Sequence, residues 1–142
     1  RVILDKNLNL KINSFIIKTA NKIPTYIFYN KIKLKKINFL KKKGVKLIHL
    51  KLKSNNFIAV EVFKKLYNKN LFYLLVEGGA SLTENFLNNN AFNEFFYFKS
   101  SKKLQKNGII KLSNFENKLK KTFKNFGEVK TYTGDDVVLR YY

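Results

Sequence analysis

The sequence contains no cysteine and a single histidine, His49, among its 142 residues. Without cysteine the chain forms no disulfide and offers no thiolate ligand, and one imidazole is too few for a zinc centre. No apolar run approaches the roughly 18 residues that a membrane-spanning helix needs. These absences predict a protein without a metal site or a membrane partner, and we expect it in the cytoplasm.

Arginine is almost as scarce, because only Arg1 and Arg140 accompany 27 lysines in a chain of net charge +20. A strongly basic chain can bind nucleic acid, but base readout and bidentate phosphate binding favour arginine over lysine. The chain also has one proline, six glycines and no tryptophan, whereas residues with A/T-rich codons are abundant. We attribute the charge to coding bias and keep a lysine-rich nucleic-acid-binding module only as an alternative.

Hydrophobic periodicity predicts alternating strands and helices along residues 1–90, as in a single α/β domain. Strands are expected at residues 2–4, 25–29, 45–50 and 71–76, and the unbroken apolarity of 71–76 indicates a strand buried on both faces of a parallel sheet. Helices are expected at 32–43, at about 57–68, and from the Gly-Gly pair into residues 88–90, while residues 14–20 fit either a short helix or a strand. Gly44 is placed to end the first of these helices, and Asn55 or Asn56 to cap the second.

The pattern changes after residue 90. An aromatic strand is expected at 92–98, an irregular stretch at 104–114, and two further strands at 119–132 and 137–142. The Gly-Asp pair between the last two strands is favourable chemistry for a hairpin turn. We therefore predict an α/β fold with a mixed sheet flanked by helices and a C-terminal antiparallel hairpin.

The most informative segment is residues 71–87, LFYLLVEGGASLTENFL, in which an apolar run meets Glu-Gly-Gly and then a helix. The two glycines, Gly78 and Gly79, would let the backbone adopt positive φ and approach a phosphate closely. A plain strand–helix turn explains a bare Gly-Gly pair as well, since it is neither a GxGxxG fingerprint nor a P-loop. The donors that would face an anion are the backbone N–H groups of Ala80, Ser81 and Leu82 and the hydroxyls of Ser81 and Thr83.

Two charged residues follow predicted strands. Glu77 ends the strand at 71–76, where its carboxylate either accepts hydrogen bonds from substrate hydroxyls or is simply solvated. Lys6 follows the first strand, where it is either a solvated turn residue or a cation near a nucleotide ribose or its 2′-phosphate. No serine or cysteine nucleophile has an apparent base partner, so we nominate no catalytic residue.

Three segments stand in an order that resembles one known family: residues 1–5 (RVILD), 75–82 (LVEGGASL) and 134–139 (GDDVVL). Together they resemble the reductase domain of the bifunctional riboflavin-biosynthesis deaminase/reductase, the RibD family. The resemblance covers essentially the whole chain, and the VEGG-A-S-L stretch is its most specific element. It implies a dihydrofolate-reductase-like fold, with residues 1–142 forming the C-terminal part of the family's reductase domain and lacking the first strands of the full domain.

The resemblance also implies a reaction, the NADPH-dependent reduction of 5-amino-6-(5-phosphoribosylamino)uracil to the ribitylamino compound. Hydride would pass from the nicotinamide to C1′ of the opened ribose. Glu77 would contact the substrate, and an exposed sheet edge would favour a homodimer. The resemblance implies a cofactor site made of Lys6, Gly78, Gly79, Ala80, Ser81, Leu82, Thr83 and Asn85.

The chain departs from the family at three places, one of which is residues 100–105 (SSKKLQ), where the family tends to have Ala-Pro-Lys-Leu-Leu-Gly. Lys6 stands where the family usually has a small polar residue, although a lysine can still reach a 2′-phosphate. The family's reductase domain has further strands before its RVILD strand, so we expect additional sequence upstream of Arg1. A related reductase of another substrate, such as a pterin, and an inactive fragment remain as alternatives.

Overall fold

The computed structural model describes residues 1–102, 115–130 and 134–142. The chain divides into two compact units, Arg1–Phe72 and Tyr73–Tyr142. Whether residues 1–142 act as one reductase domain stays a prediction. No helix in the described ranges is both long and apolar enough to cross a membrane.

The first unit is a three-stranded parallel sheet with helices between its strands. The strand order is β1-β2-β3, with Val2 opposite Tyr26 and Tyr26 opposite Lys46. These elements confirm the predicted strand–helix alternation, and residues 14–20 contain a short helix. The elements are β1 (Val2–Leu4), α1 (Phe15–Lys18), β2 (Tyr26–Tyr29), α2 (Leu34–Lys42), β3 (Lys46–His49) and α3 (Ala59–Tyr67).

The central strand β2 separates two hydrophobic clusters. Successive side chains of a strand point to opposite faces, and accordingly Ile27 belongs to one cluster and Phe28 to the other. Leu40 of α2 packs in the cluster of Ile27, while Leu66 of α3 packs in that of Phe28. The two helices therefore bury both faces of β2, as a parallel sheet requires.

The second unit pairs its strands antiparallel, in the order β4-β6-β5. This unit confirms the predicted α/β class and the C-terminal antiparallel pairing. The predicted irregular stretch at 104–114, the last two residues of the predicted strand 119–132 and Thr133 of the predicted turn lie outside the described residues. The elements are α4 (Ala80–Asn88), β4 (Phe95–Lys99), α5 (Phe115–Thr122), β5 (Phe126–Val129) and β6 (Val137–Tyr141).

The predicted strand at 119–132 is wrong in its first part, where the chain forms the end of α5. Phe115, Leu119 and Phe123 recur every four residues and are buried in one cluster with Tyr141. That spacing places the three side chains on one face of a helix. Strand structure begins only at Phe126.

The predicted strand at 71–76 is also wrong, because residues 71–79 form neither helix nor strand. The side chains of Tyr73 and Leu75 are 97% and 86% exposed, whereas the prediction had them buried. An apolar run indicates a preference for burial, but strand structure depends on a hydrogen-bonded neighbour that the run itself does not specify. Neither described sheet includes this segment.

Candidate functional site

The helix α4 begins at an open position. Gly79 is its N-cap, with φ of −73° and ψ of 173°, and a Cβ added there would meet nothing within 4 Å. The carbonyl of Gly79 accepts the N–H groups of Leu82 and Thr83 at 3.1 and 3.2 Å. The prediction that the N–H of Leu82 is a free donor is therefore wrong.

The two remaining predicted backbone donors are those of Ala80 and Ser81. Within the described ranges neither N–H group has a hydrogen-bond acceptor. They lie in the first turn of a nine-residue helix, where the dipole favours an anion. This donor set fits a phosphate group of a dinucleotide, and the open space at Gly79 leaves room for close approach.

Gly78 has a different reason to be glycine. A Cβ added there would lie 2.7 Å from Cδ2 of Leu82, so the neighbouring side chain fills the space. Neither Gly78 nor Gly79 has a positive φ, which the sequence had led us to expect; positive values occur instead at Gly44 and Gly134. The turn into α4 thus needs small residues for packing and access, not for a left-handed backbone.

The polar side chains of α4 divide between two sides of the helix. Ser81 is exposed and Asn85 is half-buried, and their four-residue spacing places both on one face. Thr83 is half-buried, and its two-residue spacing from Ser81 places it on the other side of the helix. Asn89 donates its side-chain N–H to the backbone carbonyl oxygen of Asn85 at 2.7 Å and to its side-chain oxygen at 3.4 Å, and the Asn85 amide nitrogen has no acceptor among the described residues.

The far end of α4 is firmly held. Leu87 is buried in one cluster with Leu119 and Tyr141. On the surface, Lys118 Nζ lies 2.6 Å from Glu84 Oε1 and links α4 to α5. The open N-terminal turn is therefore carried on a helix whose C-terminal half is fixed by packing, which is the arrangement a binding site needs.

Glu77 lies directly before the two glycines, at the end of segment 71–77, which forms neither helix nor strand. Its side chain is exposed, and no ion pair or hydrogen bond to it occurs among the described residues. The carboxylate is therefore free to accept hydrogen bonds from a ligand that reaches the start of α4.

Lys6 belongs to the first unit, so the structure does not place it in the same compact unit as residues 77–85. It follows β1, and its Nζ donates to the carbonyl oxygen of Asn55 at 3.1 Å. Sequence reasoning missed this contact and assigned Asn55 or Asn56 to a helix cap. The N-cap of α3 is instead Ile58, and both asparagines belong to a tight turn.

No group of three or more acidic, histidine or cysteine side chains that could hold a metal ion occurs in the part of the chain described. His49 makes two structural contacts. Its Nε2 lies 3.1 Å from the carbonyl oxygen of Asn30, and its ring packs edge-on against Tyr29.

Comparison with protein families decides the assignment. The family model of the RibD C-terminal domain matches residues 1–131, which run from β1 through β5. This chain belongs to the RibD C-terminal domain family. No curated protein matches the chain. The match confirms the family resemblance seen in the sequence and the dihydrofolate-reductase-like fold class, and it supports an oxidoreductase role of the riboflavin-biosynthesis type.

Proposed function

We propose that this RibD C-terminal domain catalyses the NADPH-dependent reduction of 5-amino-6-(5-phosphoribosylamino)uracil to the ribitylamino compound. The family match carries the proposal. It is supported by the N-terminus of α4, where two N–H groups that have no acceptor among the described residues follow a glycine with free space around its Cα. Such a helix start binds phosphate, and both the proposed cofactor and the proposed substrate carry phosphate.

The cofactor site would be built mainly on the first turns of α4. The N–H groups of Ala80 and Ser81 would donate to a phosphate of the dinucleotide, and the Ser81 hydroxyl and the Asn85 amide would add donors from one face of the helix. When bound, the dinucleotide supplies a hydride, which no protein side chain can provide. Gly78, Gly79, Leu82, Thr83 and Lys6 complete the proposed cofactor-binding set.

Glu77 would orient the substrate. An ionised carboxylate is an acceptor with two oxygens, so it can hold two hydroxyl groups of a ribose chain at once. In a reaction whose chemistry belongs to the cofactor, the protein contributes positioning and electrostatics. We assign to Glu77 the positioning of the substrate, and we assign it no proton transfer.

The proposal extends to the partners of the chain. A phosphorylated aminouracil is a small anionic substrate that suits a protein of net charge +20. We also propose a cytoplasmic homodimer. Light scattering in solution tests the dimer directly, because a dimer gives twice the mass of the chain.

The test is NADPH oxidation, followed by absorbance, with and without the aminouracil substrate. We expect oxidation that depends on the substrate and falls about 10- to 150-fold in kcat/KM in Glu77→Gln, since a hydrogen bond to a charged group is worth about 1.5–3 kcal/mol. Affinity for NADPH should change less than about twofold. Glu128→Gln is the matched control, because Glu128 is also an exposed carboxylate and lies on β5.

Two outcomes would contradict the proposal. If the chain oxidises NADPH faster with a pterin than with the aminouracil, the substrate is wrong although the reductase class stands. If Glu77→Gln keeps the rate of the Glu128→Gln control, Glu77 does not hold the substrate.

A further inference from the structure

The three parallel strands of the first unit all begin at one end of their sheet, here termed the amino end. Tyr26 and Lys46 are the first residues of β2 and β3, and they lie opposite each other in the strand register. Helix α3 also ends there, because Lys69, just beyond the helix, places its Nζ 5.9 Å from the centre of the Tyr26 ring. The amino end therefore brings together side chains from two strands and the end of a helix.

Two ammonium groups lie close to the ring of Tyr26. Nζ of Lys46 is 5.1 Å from the ring centre and 3.4 Å from the hydroxyl oxygen, and Nζ of Lys69 is 5.9 Å from the ring centre. Both distances to the ring centre are within the range of a cation–π contact. These contacts gather two long, flexible cations beside one aromatic ring, while both lysines stay exposed to solvent.

Two further aromatic rings are exposed at the same end of α3. Tyr67 is the last residue of the helix, and Phe72 follows it within the same unit. Their side chains are 65% and 58% exposed, and the two rings pack edge-on with centres 5.1 Å apart. Each ring stiffens the other, and both leave area to which a flat group can stack.

The acidic residues of the first unit lie away from the amino end. Asp5 follows β1 at the other end of the sheet, and Glu61 lies in the first turn of α3, at the opposite end of the helix from Lys69. No ion pair within the described ranges involves a residue of the first unit. The lysines at the amino end therefore keep their charge without a paired carboxylate.

We propose that the amino-end surface, defined by Tyr26, Lys46, Tyr67, Lys69 and Phe72, binds single-stranded nucleic acid. Lysines attract the phosphate backbone, and exposed rings stack with unpaired bases, which together bind single strands without sequence preference. The scarcity of arginine argues against base readout, but stacking and phosphate attraction need no bidentate donor. The proposal is independent of the reductase activity, because none of these residues belongs to the proposed cofactor or substrate site.

An anionic membrane also attracts lysines, but it fits this surface less well. Amphipathic helices that bind membranes insert a free apolar face into the lipid. The apolar face of α3 is not free, because Val62 and Leu66 are buried in the cluster of Phe28. What the amino end exposes is separate rings beside cations, which is the chemistry of base stacking.

The charge contribution is tested by fluorescence anisotropy with a labelled oligouridylate of about twelve nucleotides, for which we expect a Kd of about 1–100 µM at physiological salt. Each phosphate contact of a single strand adds about 0.7 to the slope of log K against log salt. The double variant Lys46→Gln/Lys69→Gln should therefore lower the slope by about 1.4 and the affinity about tenfold at about 0.15 M salt. Lys31→Gln/Lys53→Gln is the matched control, because both lysines are exposed and follow β2 and β3 at the other end of the sheet. Equal losses in the two double variants would reduce the effect to overall charge and overturn the proposal.

The stacking contribution is tested by replacing the two exposed rings. Tyr67→Leu/Phe72→Leu keeps apolar side chains and should lower the affinity for the oligouridylate about 5- to 150-fold, the loss of one stacked base, with an unchanged salt slope. Phe15→Leu is the control, because Phe15 is 73% exposed at the start of α1. Thermal unfolding confirms that each variant is folded. A folded Tyr67→Leu/Phe72→Leu protein with the affinity of the Phe15→Leu control would overturn the stacking role.

Two competitors distinguish the proposed ligand from other polyanions. A duplex of the oligouridylate with oligoadenylate has a higher charge density but no unpaired bases, so we expect it to compete less well than the free single strand. A duplex that competes better would leave only diffuse charge attraction and overturn the proposal. Vesicles of phosphatidylserine and phosphatidylcholine test the membrane. Vesicle binding that both amino-end double variants abolish, without any binding of the oligouridylate, would make this a membrane-binding surface instead.

Discussion

Replacement of Gly79 by valine separates folding from cofactor binding. Gly79 has extended backbone angles that any residue adopts, and a Cβ there meets no atom within 4 Å. Replacing a glycine N-cap destabilises the helix by a few tenths to about 1 kcal/mol. Because valine lowers the conformational entropy of the unfolded chain, the same substitution also stabilises the folded state by about 0.4–1 kcal/mol. We therefore expect the free energy of unfolding of Gly79→Val to stay within about 0.5 kcal/mol of the parent value.

The same substitution at Gly78 should behave differently. The new Cβ would lie 2.7 Å from Cδ2 and 3.2 Å from Cβ of Leu82, so the half-buried leucine must move. Overpacking of this kind costs about 1–3 kcal/mol. For a chain of 142 residues, each kcal/mol lowers Tm by about 4 °C. Gly78→Val should melt clearly below the parent chain, while Gly79→Val should not.

Gly79→Val, which should leave the stability unchanged, should weaken the binding of NADPH. In Gly79→Val the added isopropyl group occupies the space through which a phosphate reaches the N–H groups of Ala80 and Ser81. Loss of one charged hydrogen bond, about 1.5–3 kcal/mol, weakens NADPH binding by about 10- to 150-fold. Gly127→Val is the control, because Gly127 also has open space at its Cβ but lies on β5.

The assays are thermal unfolding followed by circular dichroism and NADPH titration followed by fluorescence. A Gly79→Val protein with parent-like Tm and parent-like NADPH affinity would refute the placement of the cofactor at α4. A Gly79→Val protein that melts far below the parent would refute the reading of the local geometry.

Two further predictions concern the second unit. Tyr141 is fully buried with no partner for its hydroxyl among the described residues, and burial, assisted by Glu116, raises its pKa above the ordinary value. Tyr141→Phe should be as stable as the parent or up to about 1 kcal/mol more stable in urea unfolding at pH 8. Because Tyr141 ionises at lower pH in the unfolded chain than in the folded one, the parent loses stability as pH rises above about 10, and the advantage of Tyr141→Phe should grow. A less stable variant would show that the hydroxyl has a hydrogen-bond partner. Leu119 is fully buried on α5, so Leu119→Ala should cost about 2–5 kcal/mol, whereas Lys121→Ala should cost less than about 0.5 kcal/mol. Equal costs would indicate a strand, in which both residues share a face.

The helices and strands of the first unit could be predicted from the sequence because the residues that specify them are close together in the chain. Pro24 precedes β2, and Gly44 follows α2 with φ of +83°, the left-handed conformation expected of a helix-ending glycine. Ile37 and Leu40, three residues apart, give the buried face of α2. Each of these features depends on neighbours within one or two helical turns, which a single sequence contains.

The structure of the segments 71–76 and 119–132 could not be predicted from neighbouring residues in this way. Both are apolar enough for a strand, but a strand is completed by a partner elsewhere in the chain. For the second segment a usable signal was present, since Phe115, Leu119 and Phe123 have helical spacing. For the first segment no local signal separates a buried strand from exposed extended chain.

The candidate site was predictable in position but not in detail. The Gly-Gly pair correctly marked the start of α4, because the change from an apolar run to helical spacing is local. The positive φ values and the free N–H of Leu82 were wrong, since both depend on how the turn closes. The turn at residues 53–56 was missed although Ser-Asn-Asn is turn chemistry, because the capping role of asparagine competed with its left-handed role.

Coding bias does not explain how the charge is distributed. Residues 1–72 contain 18 of the 29 basic residues and two of the nine acidic ones, so the remaining seven acidic residues all lie in 73–142. One bias acts on both halves and would not separate acidic residues in this way. The two acidic residues of the first unit are Asp5, whose oxygens are taken by the backbone, and Glu61 on α3. An almost purely cationic unit raises the local concentration of phosphate-bearing ligands.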